Sequence, residues 1–307
     1  MIASLHTRFR KNTGVTLVEL VVVMVLVGIL GAIVAQLVYP VFAYIDSNRR
    51  AALADVADTA LRRMGRDLRL ALPNSVRVTT VGGVTYLEFL LVRTGGRYRT
   101  ATGGGSAAAC GGAITSSAAG DLLTFGTAQT CFSSIGAVLN LSQIVANSDR
   151  VVVFNLQPGT TSADAYQQTG VANNNSLVSG AFAGTGTGVG QDQINFTSNT
   201  FTYASPGNRF FIVQYPVTYA CNTTAGTLTR YWNYTIPAGG GQSTLPFTGG
   251  SSAPLASGVT GCTLTYNTNV SQGAGLVAMY LQLTTQNSSG SNESVNLTYE
   301  VHVNNVP

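Results

Sequence analysis

An uncharged run at residues 20–39, in which Gln36 is the one strongly polar side chain, constrains this chain more than any other feature. As a helix, such a run rises about 30 Å, which equals the hydrocarbon thickness of a bilayer. Basic residues precede the run and none follows until Arg49, so the N-terminus is predicted to lie in the cytoplasm and the bulk of the chain outside it. Because the run exceeds the apolar core of a cleaved secretory signal, the residues predict a membrane anchor.

A single carboxylate, Glu19, lies directly before this run. A carboxylate at membrane depth costs about 2.5–3.5 kcal/mol on insertion scales, which makes Glu19 a candidate functional residue. A neighbouring positive charge would offset that cost, because neither charge is then buried alone. In the first turn, Glu19 would also face the positive end of its own helix dipole. The alternative is that Glu19 simply lies at the headgroup interface.

The segment TGVTLVELVVVMVLVGILGAI resembles the prepilin signal of type IV pilins and type II secretion pseudopilins. The shared features are a short basic leader, a glycine before the cleavage site and glutamate as the fifth mature residue. The resemblance implies that a prepilin peptidase cleaves between Gly14 and Val15 and that Val15 is then N-methylated. It also implies that Glu19 pairs with the new amine of a neighbouring subunit during assembly.

Further segments, RRMGRDLRLALPNSVRV, GTLTRYWNYTI, LASGVTGCTLTY and EVHVNNVP, resemble minor pilins of the mannose-sensitive haemagglutinin (MSHA) pilus of the MshO type. A more distant resemblance is to the J-type minor pseudopilin of type II secretion. Both imply a structural protein that starts or caps a filament, with other pilins, the prepilin peptidase and an inner-membrane assembly platform as partners. The implied location is the inner membrane, with a periplasmic head, and then the pilus at the cell surface.

The chain is predicted to divide into a leader (1–14), a transmembrane and polymerisation helix (15–45), an amphipathic helix (46–72) and a β-rich head (73–307). Within 46–72, apolar residues recur every three or four positions opposite a charged face, and Pro73 ends the pattern. The predicted fold class is α+β and type IV pilin-like, with the long helix packed on an antiparallel sheet.

Three residues weaken the hydrogen-bond ladder of this helix: Gly28, Gly31 and Pro40. One hypothesis is that they permit local unwinding when the subunit leaves the membrane. The other is that small residues are simply tolerated in a packed transmembrane helix.

The head is predicted from alternating apolar segments, beginning with a hairpin around Gly82 and Gly83. The last two such segments, GLVAMYLQLT and ESVNLTYEVHV, are expected to pair across a Ser/Gly/Asn turn. Two Gly/Ala/Ser/Thr-rich stretches, at about 101–120 and 157–200, are predicted to be loops or insertions.

The composition argues against enzymes and nucleic-acid binding. Only 9% of residues are charged, and removal of the leader would leave 13 basic residues against 12 acidic ones. The two histidines, His6 and His302, cannot form a His-based triad or a multi-His metal site. No enzymatic activity and no cofactor are therefore predicted. Calcium bound by Asp164 and Asp192 is a weaker alternative, since no EF-hand spacing appears.

The four cysteines allow three disulfide pairings. The sequence-local pairing, Cys110 with Cys131 and Cys221 with Cys262, is favoured and predicts an oxidising compartment. Four buried free thiols remain the alternative.

Aromatic residues suggest a second function, that of a tip adhesin whose head captures a glycan or another surface. More often, such strand residues pack against neighbouring strands. The residues concerned are Tyr203, Tyr215, Tyr219, Tyr231, Trp232 and Tyr234.

Overall fold

The computed structural model describes residues 14–101, 110, 122–168, 173–185, 190–271, 273–287 and 289–307. These residues form one long helix, α1 (Leu17–Arg69), a short 3-10 helix (Leu141–Gln143) and twelve strands. The strands are β1 (Arg77–Val81), β2 (Val84–Tyr98), β3 (Ala128–Ile135), β4 (Arg150–Val152), β5 (Asn175–Phe182), β6 (Gln193–Thr200), β7 (Arg209–Asn222), β8 (Thr227–Trp232), β9 (Ser251–Ser257), β10 (Val259–Ser271), β11 (Ala274–Gln286) and β12 (Asn292–Asn304). This arrangement confirms the predicted α+β, pilin-like fold class.

Helix α1 runs through Gly28, Gly31 and Pro40 as a single element. It ends at Arg69, slightly before the predicted boundary, because the chain turns at once onto the nine-stranded sheet. The backbone N–H of Leu72 donates to the carbonyl of Leu90 on β2 at 2.8 Å. The C-terminal end of the helix is therefore fixed to the head by backbone pairing.

The second half of α1 packs on the head through one apolar face. Its buried residues share a core with strands of both sheets, the three-stranded sheet β10–β11–β12 and the nine-stranded sheet. Strands β11 and β12 pair over their whole length, from Gln286 opposite Asn292 to Ala274 opposite Asn304, which confirms the predicted hairpin. The helix residues in this core are Ala57, Ala60, Leu61, Met64 and Leu68.

Six strands of the nine-stranded sheet close into a ring. Strand β2 pairs with both β3 and β7, and the series β3–β6–β5–β4–β7 completes the circuit. The ring encloses a separate core rich in aromatic side chains, in which Phe132 lies edge-on to Phe210 at a centroid distance of 4.9 Å. The described residues of the head thus form separate large cores under α1 and inside the ring, with two smaller buried clusters around Tyr166 and Tyr86.

The prediction that residues 157–200 form loops or insertions is wrong in part. Residues 175–182 and 193–200 are strands β5 and β6 and form one side of the ring. Both strands contain Asn, and β5 also contains Gly180, residue types that are depleted in strands, so the β propensity of these segments is low; pairing with neighbouring strands overrides it. The stretch at about 101–120 lies almost entirely outside the described residues, apart from Ala101 and Cys110.

A buried ion pair within the first hairpin is hydrogen-bonded to the loop after β8. Glu88 is fully buried, pairs with Arg77 at 2.8 Å and accepts a hydrogen bond from the Tyr234 hydroxyl at 2.6 Å. Burial raises the pKa of Glu88, although the Arg77 charge opposes that shift. Because Arg77 also lies over the Tyr166 ring, this network connects β1 and β2 with two loops of the head.

Candidate functional site

The N-terminal end of α1 presents the predicted processing and assembly residues. Gly14 and Val15 precede the helix and are exposed, which leaves the predicted cleavage site accessible. Thr16 is the N-cap, and its hydroxyl oxygen accepts a hydrogen bond from the backbone N–H of Glu19 at 3.3 Å. Thr16 and Glu19 thus have the residue types and spacing of a capping box, and the Thr16 half of that box is formed.

The Glu19 carboxylate is exposed and has no hydrogen-bond or ion-pair partner within the described part of the chain. It lies in the first turn, where the helix dipole favours a negative charge. The described residues therefore supply no cation to this carboxylate, and its exposure leaves it accessible to a cation from outside them.

The first half of α1 exposes an unbroken apolar surface. Over Leu17–Leu37 the helix is long and apolar enough to cross a membrane, and none of this segment is buried against the head. A surface of this size is far larger than the apolar patches of soluble monomers, so it requires lipid or other helices as its environment. Gly28 and Gly31 have open space around them, which leaves room for close approach of another helix.

A buried charge cluster holds the end of α1 on the head. One carboxylate oxygen of Asp67 accepts hydrogen bonds from the Arg230 guanidinium and from the Tyr219 hydroxyl, each at 2.8 Å. Burial alone would lower the pKa of Arg230, but Asp67 raises it above its usual value. Burial and the nearby Asp67 charge both raise the pKa of Tyr219. The cluster keeps Arg230 charged and fixes the helix end to β7 and β8.

Two further contacts bind the head to a part of α1 that lies closer to the membrane-spanning half. Arg50 pairs with Glu293 at the start of β12, and the Arg49 guanidinium donates to the backbone carbonyl of Gln286 at 3.3 Å. These contacts and the Asp67 cluster join residues 152 to 243 positions apart. Sequence reasoning missed them, and the mixed-charge face of α1 was the one signal that pointed to partners there.

The cysteines form the two disulfides that local spacing favours, Cys110–Cys131 and Cys221–Cys262. The second disulfide joins β7 of the nine-stranded sheet to β10 of the three-stranded sheet. It therefore links the two sheets that share the core under α1.

The acids considered for calcium hold backbone groups instead. Asp164 accepts from the N–H groups of Gly159 and Tyr166, and Asp192 accepts from that of Val138 at 2.6 Å. The described residues contain no group of three His, Cys, Asp or Glu side chains able to hold a metal ion. His302 is exposed on β12, and His6 lies outside the described residues.

The predicted aromatic surface is not a single surface. Tyr219 and Tyr234 are buried, and Trp232 packs against the core under α1 with Arg230 over its ring. Tyr231 packs against Phe247, whereas Tyr203 contacts Phe154. Tyr215 is partly buried and lines a surface cleft.

Comparison with known proteins gives one match, at the end of the chain that carries Glu19. Residues 9–35 match the family described as Prokaryotic N-terminal methylation motif, a type IV pilin-like signal. No curated protein and no solved structure matches the chain. The motif and the apolar helix together indicate membrane anchoring and association with other pilus components.

Proposed function

We propose that this chain is a minor pilin of a type IV pilus of the MSHA kind, with a structural role in starting the filament or forming its tip. The observation that carries the proposal is the position of Glu19 inside a methylation motif. Its carboxylate has no partner among the described residues and lies at the start of an exposed apolar helix segment, Leu17–Leu37. The helix inserts first into the inner membrane and then among the helices of neighbouring pilins.

In this proposal the amine of processed Val15 and Glu19 neutralise each other between adjacent subunits. Each charge is expensive alone in an apolar helix stack, and pairing removes the isolated charge. The head stays outside the stack, because the Asp67 cluster and the core under α1 fix it to the second half of the helix.

The test compares Glu19→Ala with Asp55→Ala, which removes an exposed carboxylate from the same helix. Each variant replaces the native chain in the producing cell, and its amount is measured in sheared filaments and in membranes. We expect Glu19→Ala to accumulate in membranes and to fall at least tenfold in filaments, while Asp55→Ala enters them normally. Normal incorporation of Glu19→Ala would contradict the pairing.

Intact-mass analysis of the filament fraction tests processing separately. We expect a chain that begins at N-methylated Val15. A chain that begins at Met1 and stays in the membrane would contradict processing and would indicate a signal-anchored protein instead of a pilin. A J-type role in type II secretion is the competing assignment, and neighbouring genes for a secretin system instead of pilus assembly would favour it.

A further inference from the structure

Two adjoining hollows on the outside of the ring form one cleft. Their volumes are about 330 and 210 Å³, and both are lined by Arg150, Gln168 and Leu177. The combined space falls within the range of about 300–1,000 Å³ that is typical of small-molecule sites. Arg150 lies where the two hollows meet and is the one charged side chain among the described residues that line them.

Arg150 is held in a fixed position. It begins β4 opposite Leu177 of β5 and Val213 of β7, and the next residue, Val151, belongs to the ring core. Its Nε donates to the Asn175 side-chain oxygen at 2.8 Å, and its Nη2 donates to the Gln168 carbonyl at 3.1 Å. These two bonds leave Nη1 without a partner among the described residues. The guanidinium is thus oriented before any ligand arrives.

The charge of Arg150 is not balanced within the described residues. The partly buried arginines Arg77, Arg93 and Arg230 each pair with a carboxylate at 2.7–2.8 Å. Among the described residues no carboxylate lies within ion-pair distance of Arg150, and the same holds for partly buried Arg99 and Arg209, which do not line the cleft. Burial lowers the pKa of Arg150 because nothing negative compensates its charge, yet a guanidinium stays protonated in proteins. An anionic ligand would supply the missing charge.

The walls of the cleft are neutral and rich in hydrogen-bonding groups. Around the larger hollow lie Thr197 and Ser198, which are exposed, and Asn199, whose Nδ2 is bound to the Asn173 carbonyl and whose Oδ1 has no partner among the described residues. The amides of Asn173 and Asn175 both donate to the Gln167 carbonyl, which fixes the backbone of this wall. Hydroxyl and amide groups of this kind match the donors and acceptors of a sugar ring.

The smaller hollow adds an aromatic wall. Partly buried Tyr215, which also packs against the core under α1, lies there with buried Tyr234 and exposed Asn233 and Thr235. An aromatic ring beside amides offers an apolar face for the C–H side of a sugar and polar groups for its hydroxyls. One cation instead of several fits a nucleotide or polyphosphate poorly.

We propose that this cleft binds an acidic saccharide, a sugar that carries a carboxylate. Arg150 receives the carboxylate through Nη1, Asn199 and the neighbouring hydroxyls bind ring hydroxyls, and Tyr215 contacts the ring face. The proposal does not depend on filament assembly, since the site lies on the head.

The experiment uses the full chain in detergent and titrates it by ligand-observed NMR. The probes are the methyl glycosides of glucuronic acid, galacturonic acid and N-acetylneuraminic acid, with methyl glucoside and methyl galactoside as neutral counterparts. We expect at least one acidic probe to bind at least tenfold more tightly than its neutral counterpart. Equal binding of acidic and neutral probes, or no binding of any acidic probe, would overturn the proposal.

Variants locate the site. Arg150→Gln is expected to lose the acidic preference and at least tenfold of the affinity. Arg209→Gln removes another partly buried arginine of the ring that has no ion pair among the described residues, and it is expected to bind normally. Asn199→Ala on the rim should weaken binding about threefold without an effect on folding, which keeps the test valid if Arg150→Gln unfolds. Unchanged binding in both Asn199→Ala and Arg150→Gln would contradict the assignment of the saccharide to this cleft. Displacement of the saccharide by inorganic sulfate at equal concentration would also contradict it.

Discussion

The two halves of α1 form one continuous helix, yet they meet opposite environments. Over Leu17–Leu37 every apolar side chain faces outward, whereas Ala57, Leu61 and Met64 are at most 2% exposed against the head. Burial would stabilise both halves, because both carry many apolar side chains. Only the second half has an apolar face opposite a charged face, and that apolar face packs on the head of the same chain. The first half needs a partner from outside, and lipid and neighbouring helices are the environments that suit it.

The charges of the helix divide in the same way. Asp67 in the second half has two partners from the head, whereas Glu19 in the first half has none among the described residues. A residue satisfied within the chain serves folding, and a residue left unsatisfied is available for assembly. Four pairs of matched substitutions, described in order of decreasing effect, test this division.

Two methionines provide the largest contrast. Met64 is fully buried under the head, and Met24 is 69% exposed in the apolar half. We expect Met64→Ala to lower the free energy of unfolding of the head by about 3 kcal/mol, because it leaves a cavity, and Met24→Ala to leave it unchanged. Urea unfolding in detergent, followed by the fluorescence of the single tryptophan, Trp232, measures both. An equal loss of unfolding free energy in the two variants would contradict the division between the two halves of α1.

Two aspartates on the second half of α1 give the next contrast. Asp67→Asn removes the charge that Arg230 and Tyr219 share and should cost about 2 kcal/mol of unfolding free energy. Asp55→Asn changes an exposed carboxylate and should have almost no effect. The same urea experiment measures the difference. If Asp67→Asn unfolds at the native midpoint, the cluster does not hold the helix on the head.

Two glycines test close packing. A Cβ at Gly65 would lie 2.6 Å from the Tyr299 ring on β12, whereas a Cβ at Gly28 would meet nothing within 4 Å. Gly65→Ala is expected to lower stability by about 1 kcal/mol, because overpacking outweighs the gain in helix propensity. Gly28→Ala should leave the unfolding of the head unchanged. A stabilised Gly65→Ala head, seen as a higher melting temperature, would show that Tyr299 moves away freely.

Two arginines give the smallest contrast. Arg50→Ala breaks the pair with Glu293, and because Arg50 is largely exposed the loss should be below about 1 kcal/mol. Arg63→Ala, which removes an exposed arginine from the same half of the helix, should have no effect. Hydrogen exchange near residue 50 measures local opening more sensitively than global unfolding does. A loss as large as that of Asp67→Asn would mean that the helix is held mainly near the membrane.

What the sequence could predict was local. The methylation motif, the apolar run and the turn at Gly82 and Gly83 each depend on residues within a few positions, and such local patterns predict the helix and the β1–β2 and β11–β12 hairpins. The disulfides followed from short spacings. The division of the chain into leader, membrane helix, amphipathic helix and head stays a prediction.

What the sequence could not predict depends on distant partners. The pair between Asp67 and Arg230 joins residues 163 positions apart, and the ring depends on strands poor in β-forming residues. The cleft around Arg150 could not be predicted for the same reason, because the segment DRVVVFN predicts only a strand. That Arg150 has no carboxylate beside it among the described residues can be seen only once strands β5 and β7 are placed next to β4.

The ring has one further consequence, for how the head can change in size. The chain leaves β2 and returns to β7 at adjacent points, where the N–H of Tyr98 donates to the carbonyl of Asn208 at 2.8 Å. The 109 intervening positions, 99–207, therefore form an excursion between two strands that already pair with each other. No described residue of this excursion belongs to the core under α1, so its length and sequence can change while the helix and that core keep their form.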